Sequence, residues 1–136
     1  MQKSVRETKM ASSNAVFTGI DDVLENIGAD GSGMVIAVLD TGLNYTHEAF
    51  ADADGNCAKY GRMTADDAAL AVAPGVYINA KVPFAYDYAE KDTDVTDHNG
   101  HGTHVSGIAA GCTYDAENDE YTFLGSASGA QIVSMK

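Results

Sequence analysis

Two residues in this sequence are best placed to do chemistry: an aspartate that ends an apolar run and a histidine at the head of a glycine-rich turn. Asp40 follows Met34-Val35-Ile36-Ala37-Val38-Leu39 and opens Asp40-Thr41-Gly42. His101 stands within His98-Asn99-Gly100-His101-Gly102-Thr103-His104-Val105-Ser106-Gly107. An imidazole works as a general base only when its tautomer is fixed, and a carboxylate accepting from its other nitrogen fixes it. Asp40 and His101 would therefore supply two members of a nucleophilic triad if the fold brings them together. Taken singly, each has a plainer reading, a strand-end carboxylate bonding local N–H groups and a packed histidine.

Two other chemistries fit these residues less well. His98, His101 and His104 are three apart beside Asp97, whereas helical histidine ligands pair at i, i+4 around a glutamate; Gly100 and Gly102 place the first two in a turn. Zinc is accordingly not expected, and no metal ligand is assigned. Asp-Thr-Gly after an apolar strand is also how an aspartic protease presents one carboxylate of its dyad. That mechanism needs a second triplet, which this sequence lacks, or a symmetric dimer, and would leave the histidine segment without a purpose.

The elements that must carry the pair follow from apolar pattern and turn chemistry. Met34 to Leu39 has no polar alternation and predicts a strand buried on both faces, the habit of a parallel sheet in an α/β domain. Open α/β sheets place their sites at the carboxyl ends of such strands, where Asp40 lies. His101 to Gly111 predicts a helix of small residues that can lie close on a sheet. A helix capped at Thr18 carries Ile20, Val23, Leu24 and Ile27 on one stripe and stops at Gly28. Between the two motifs, Leu43 to Lys81 reads as a surface excursion with a helix at Ala65 to Ala73, closed by Pro74-Gly75. Val82 to Tyr88 predicts a second strand, followed by an acidic loop, Glu90 to Asp97, and Ala130 to Lys136 predicts a third. Residues 1–18 read as an extended or disordered leader. The sequence stops inside the third strand, so residues 19–136 are expected to be the N-terminal portion of a larger domain, truncated after its early strands.

Composition narrows the partners. Eight lysines and arginines against 20 aspartates and glutamates give a net charge of −12, which repels polyanions and argues against nucleic acid. No apolar run approaches the roughly 20 residues that span a bilayer, and no signal-peptide core is visible near Met1. Cys57 and Cys112 match no CxxC pattern and read as ordinary buried thiols, with a single bridge as the alternative. Asp92, Asp94 and Asp97 precede His101 and could favour basic substrate residues, although a solvated acidic loop is the simpler reading.

Val38-Leu39-Asp40-Thr41-Gly42 together with His101-Gly102-Thr103-His104-Val105-Ser106-Gly107 resembles the subtilisin-like serine proteases, the subtilases (peptidase S8 family), whose triad runs Asp, His, Ser. The similarity covers about Gly19 to Lys136, including Gly125-Ser126-Ala127-Ser128-Gly129-Ala130. The long interval between the motifs, with Thr46-His47-Glu48-Ala49-Phe50 and Tyr86-Asp87-Tyr88, looks more like the branch of cell-envelope proteinases and streptococcal C5a peptidases than the short secreted subtilisins. The resemblance implies an α/β subtilisin-like fold with a parallel sheet and flanking helices, and Asp40 as the triad carboxylate. It also implies His101 as general base and acid, and a protein or peptide substrate. His104 matches a structural position. The family's nucleophile lies in a GTSxA segment, and its oxyanion-hole asparagine precedes it; neither occurs here, so the chain alone is expected to be inactive. A non-catalytic subtilase-like binding module is the alternative. A secreted or cell-surface location is implied, with no cofactor needed for catalysis. Structural calcium is conceivable, although Asp52-Ala53-Asp54-Gly55-Asn56 lacks the closing glutamate of an EF-hand loop and reads as a plain turn.

Overall fold

A computed structural model describes residues 19–136 apart from 53, 54, 70, 72 and 73. The expected leader and the Thr18 cap lie outside the described residues. Helix α1 spans Ile20–Ile27 and ends where Gly28, at φ 71°, donates its N–H to the carbonyls of Val23 and Leu24. Strand β1 (Val35–Leu39), the short helices α2 (Glu48–Ala51) and α3 (Ala65–Ala69), and strand β2 (Phe84–Tyr86) follow. The chain continues through α4 (His101–Ala110), β3 (Cys112–Asp115), β4 (Glu120–Leu124) and β5 (Gln131–Met135).

The main sheet is parallel, in the order β1-β5-β2. Val35 faces Gln131 and Leu39 faces Met135 across β1 and β5, and Phe84 to Tyr86 pair with Val133 to Met135 on the other side. Parallel neighbours require a crossover, and α4 makes it, contacting β1 and β5. The result is an α/β domain with helices flanking a parallel sheet.

The expected burial of β1 on both faces is not met. Its residues alternate, Ile36 and Val38 packing inward while Val35, Ala37 and Leu39 are exposed. The cause is position: β1 lies at the edge among the described strands, and β5 is central, with Gln131 to Ser134 all buried. β2 is shorter than the predicted Val82 to Tyr88. Pro83 cannot donate to a ladder and stands just before it, and the outer edge is closed by Val76, whose N–H and carbonyl exchange hydrogen bonds with Ala85.

The segment from Leu43 to Lys81 is not the expected surface excursion. Leu43, Phe50, Cys57, Ala58, Ala68 and Lys81 are buried in it. Leu43 and Phe50 join Val82, Ala110, Ala130 and Ile132 in the main core, each large side chain contributing about 2 kcal/mol by leaving water. The helix predicted to Ala73 is described only over Ala65–Ala69, begun by mutual bonds between Thr64 and Asp67. The Gln131 side chain, 1% exposed, stitches this segment to β5. Its oxygen accepts from the N–H groups of Arg62 and Met63, and its amide donates to the carbonyls of Met63 and Ala80.

Cys57 and Cys112 form a disulfide, where free thiols were the expectation. The bridge ties the segment before Lys81 to the residue after α4, and closing a loop of 55 residues removes denatured-state entropy worth on the order of 4 kcal/mol. β3 and β4 form an antiparallel hairpin that the sequence reading did not single out.

Lys81 is fully buried, and its Nζ donates to the carbonyls of Ser128 and Ala130 at 2.6 Å each and Cys57 at 3.5 Å. Loss of hydration lowers its pKa to about 8, against the attraction of Asp52 and Asp30. Between that value and 10.5 the unfolded chain binds one proton more than the folded chain, so stability rises with pH by at most about 1.4 kcal/mol per unit. Lys81→Met should unfold at lower urea at pH 7.5, since three buried carbonyls lose their donor. The advantage of the wild type should widen between pH 8 and 10; a gap that stays constant across that window would contradict this account.

Candidate active site

Asp40 follows directly on β1, and its N–H continues the ladder by donating to the carbonyl of Met135 at 3.0 Å. His101 is the first residue of α4. The sheet and the crossover helix thus bring together two side chains 61 residues apart: His101 Nδ1 lies 2.8 Å from Asp40 Oδ1 and 2.9 Å from Oδ2. A carboxylate can only accept here, so the proton sits on Nδ1 and the tautomer is fixed. Nε2 is left without a hydrogen-bond partner among the described residues, on a side chain that is 62% exposed.

The pairing shifts both groups. The hydrogen bond from His101, then the N–H of Thr41, holds Asp40 below its ordinary value. The hydrogen bond to Asp40, then the Asp40 charge, raises His101, with Asp97 adding a smaller pull.

Close approach of the two segments depends on glycine. A Cβ on Gly42, where φ is +115°, would run into the Val95 carbonyl, and one on Gly102 would run into the Gly42 carbonyl. Gly102 is therefore required by contact between the two motifs, and Gly42 by contact with the loop that leads into the second. Further along α4, Ser106 and Ala110 are buried, as expected of a small-residue helix packed on a sheet.

Asp97 has a part that the sequence reading did not assign. Its Oδ1 accepts from the Thr41 hydroxyl and the N–H groups of Asn99 and Gly100, and its Oδ2 accepts from the N–H and hydroxyl of Thr103. Burial opposes its ionisation, but these bonds outweigh that and hold it well below the usual carboxylate range. The signal was present: Gly100 is the N-cap of α4 and has no side chain with which to cap. A carboxylate so engaged is turned inward, not toward substrate, while Asp92 and Asp94 remain exposed.

Other singled-out residues stay apart. His98 and His104 do not join a group of three metal-ligating side chains among the described residues. Asp52 uses Oδ1 to accept from the Cys57 N–H and lies within the field of the Lys81 ammonium; Ala53 and Asp54 are outside the described residues. No helix among the described residues is long and apolar enough to cross a membrane.

A family model described as the subtilase family matches residues 31–136. The chain is 30% identical over 136 residues to a C5a peptidase of Streptococcus pyogenes serotype M18 (strain MGAS8232), which covers 93% of this chain and 12% of that protein. It is 29% identical over 123 residues to a PII-type proteinase of Lactococcus lactis subsp. cremoris, covering 88% of this chain and 6% of that protein. The chain thus spans a small part of the length of either relative, and both belong with the branch suggested by the long interval between the motifs.

In an NMR titration, the His101 ring signals should move with a midpoint above 6.5, and Asp40→Asn should bring that midpoint back toward 6.5. Equal midpoints in the two proteins would mean that the pair does not form in solution.

Proposed function

The chain belongs to the subtilase family, and from that premise we propose that it carries the aspartate and histidine of a serine endopeptidase whose nucleophile is supplied by residues beyond Lys136. The observation that carries the proposal is the bond of His101 Nδ1 to both oxygens of Asp40, which leaves Nε2 to a third group. In the reaction, Nε2 takes the proton of the serine hydroxyl as that oxygen attacks the peptide carbonyl, and returns it to the leaving amine when the C–N bond breaks. Water then repeats the sequence on the acyl-enzyme, with His101 again as base. Asp40 keeps the ring oriented and stabilises the imidazolium, consistent with the upward shift of His101.

No serine of this chain stands in the sequence context of the family's nucleophile. Ser106 is buried on α4 and Ser128 is buried before β5, and neither stands in a GTSxA context. Substrates are proteins or peptides, and the protein works outside the reducing cytoplasm, at the cell surface or secreted. The Cys57–Cys112 bridge supports that location, because such bonds persist in oxidising compartments.

The full-length protein should hydrolyse peptides and be labelled at one serine by a fluorophosphonate, and His101→Ala should remove nearly all of the rate, on the order of a millionfold. The 136-residue chain alone should do neither. Turnover by that chain, surviving repurification and abolished by His101→Ala, would overturn the assignment of the nucleophile. A full-length protein that neither cleaves nor labels would make this a non-catalytic subtilase-like module.

A further inference from the structure

The Asp40–His101 pair spans two segments that share no covalent restraint near the site, so something must hold them in register before substrate arrives. Only a few contacts do so. The Thr41 hydroxyl accepts from the Gly102 N–H at 2.9 Å and donates to Asp97 Oδ1 at 3.0 Å. The Thr103 hydroxyl accepts from the Asn44 N–H at 2.9 Å and donates to Asp97 Oδ2. The Leu43 N–H donates to the Val95 carbonyl at 2.8 Å. Of these four crossing bonds one ends on Asp97 itself, and the hydroxyls that take two others, Thr41 and Thr103, both donate to its carboxylate.

We propose that Asp97 is a positioning residue for the reaction: through Thr41 on one side and Asn99, Gly100 and Thr103 on the other, it fixes the Asp40 loop against the first turn of α4 and so sets the Asp40–His101 bond. This rests on the protease reading above. Asp97 touches neither the imidazole nor the Asp40 carboxylate by hydrogen bond and acts through their neighbours. Its position accounts for its five bonds. Oδ1 closes an Asx turn onto Asn99 and Gly100. Oδ2 takes the Thr103 N–H, an amide of the first helical turn that Gly100 cannot cap. A negative charge at the start of α4 also suits the helix dipole. What a cap alone does not require is the bond to Thr41, which crosses to the residue after Asp40.

Asparagine at position 97 keeps one acceptor but sets an NH2 group against the Thr103 N–H. In the full-length protein, with rates counted per fluorophosphonate-labelled serine, Asp97→Asn should lower kcat about tenfold or more with little change in KM, since small misplacements of reacting groups are costly. The acid limb of kcat/KM should move to lower pH. Thr41→Val keeps the Asp97 charge and its cap on Thr103 while cutting the Thr41 bonds to Asp97 and to the Gly102 N–H; the same movement of the limb there as in Asp97→Asn separates positioning from loss of charge, and serves if Asp97→Asn does not fold. Variants that melt earlier but keep the wild-type kcat per labelled site and the wild-type limb would overturn the proposal and leave Asp97 a helix cap. If the wild type neither cleaves nor labels, the protease reading fails by itself. The NMR midpoint of His101 then decides: a lower midpoint in Thr41→Val upholds positioning, and an unchanged one overturns it.

Discussion

Parallel pairing between β1 and β5 is the constraint on which the rest depends. Two parallel neighbours cannot be joined by a tight turn, so the chain from Asp40 to Ala130 must travel from the carboxyl end of β1 to the amino end of β5, adding β2 to the sheet on the way. The crossover α4 passes back over the sheet, and its first residue, His101, lies where β1 ends. An aspartate just after one strand and a histidine at the start of the returning helix therefore meet because of topology, without being neighbours in sequence. Their approach is then limited by backbone contact at Gly42 and Gly102, where any side chain would hold the segments apart.

The same constraint explains why polar groups are buried far from the site. A long crossover lies over the start of β5, where carbonyls would otherwise face apolar surroundings, and unpaired buried groups are costly. Gln131 and Lys81 answer this with seven hydrogen bonds to backbone atoms. Lys81 is the less usual solution: an ammonium among three carbonyls, attracted from a distance by Asp52 and Asp30. The disulfide holds Cys57 beside this cluster, so cross-link and cation fasten the same two parts of the chain.

Legibility in the sequence divides along the same line. Asp40, His101, the small-residue helix and the Gly28 stop were legible because their signals are local: residue types at fixed spacings that must adopt one backbone path. The burial of Leu43 and Phe50 was not, because the segment between the motifs has no sustained apolar period and is drawn inward only by the returning strand. Alternating burial along β1 was hidden for a related reason, since an uninterrupted apolar run does not reveal which neighbour covers each face. The Cys57–Cys112 bridge joins residues with no spacing signature, and Lys81 reads in isolation as an ordinary surface lysine.

Asp97 shows how a residue can carry a legible signal and still be misjudged. Among Asp92, Asp94 and Asp97, sequence alone offers three similar charges in an acidic loop. Structure separates them: Asp92 and Asp94 close their own short turns onto Asp94 and Thr96 and stay exposed, while Asp97 bonds to Thr41, Asn99, Gly100 and Thr103 within the two motifs. The difference follows from where helix α4 begins. A helix opened by glycine needs an acceptor from elsewhere for its first amides, and the residue three positions before that glycine is the nearest carboxylate able to reach them. Because the Asp40 loop packs against that same turn, a carboxylate recruited to cap the helix is also within reach of Thr41, and capping and alignment become one arrangement.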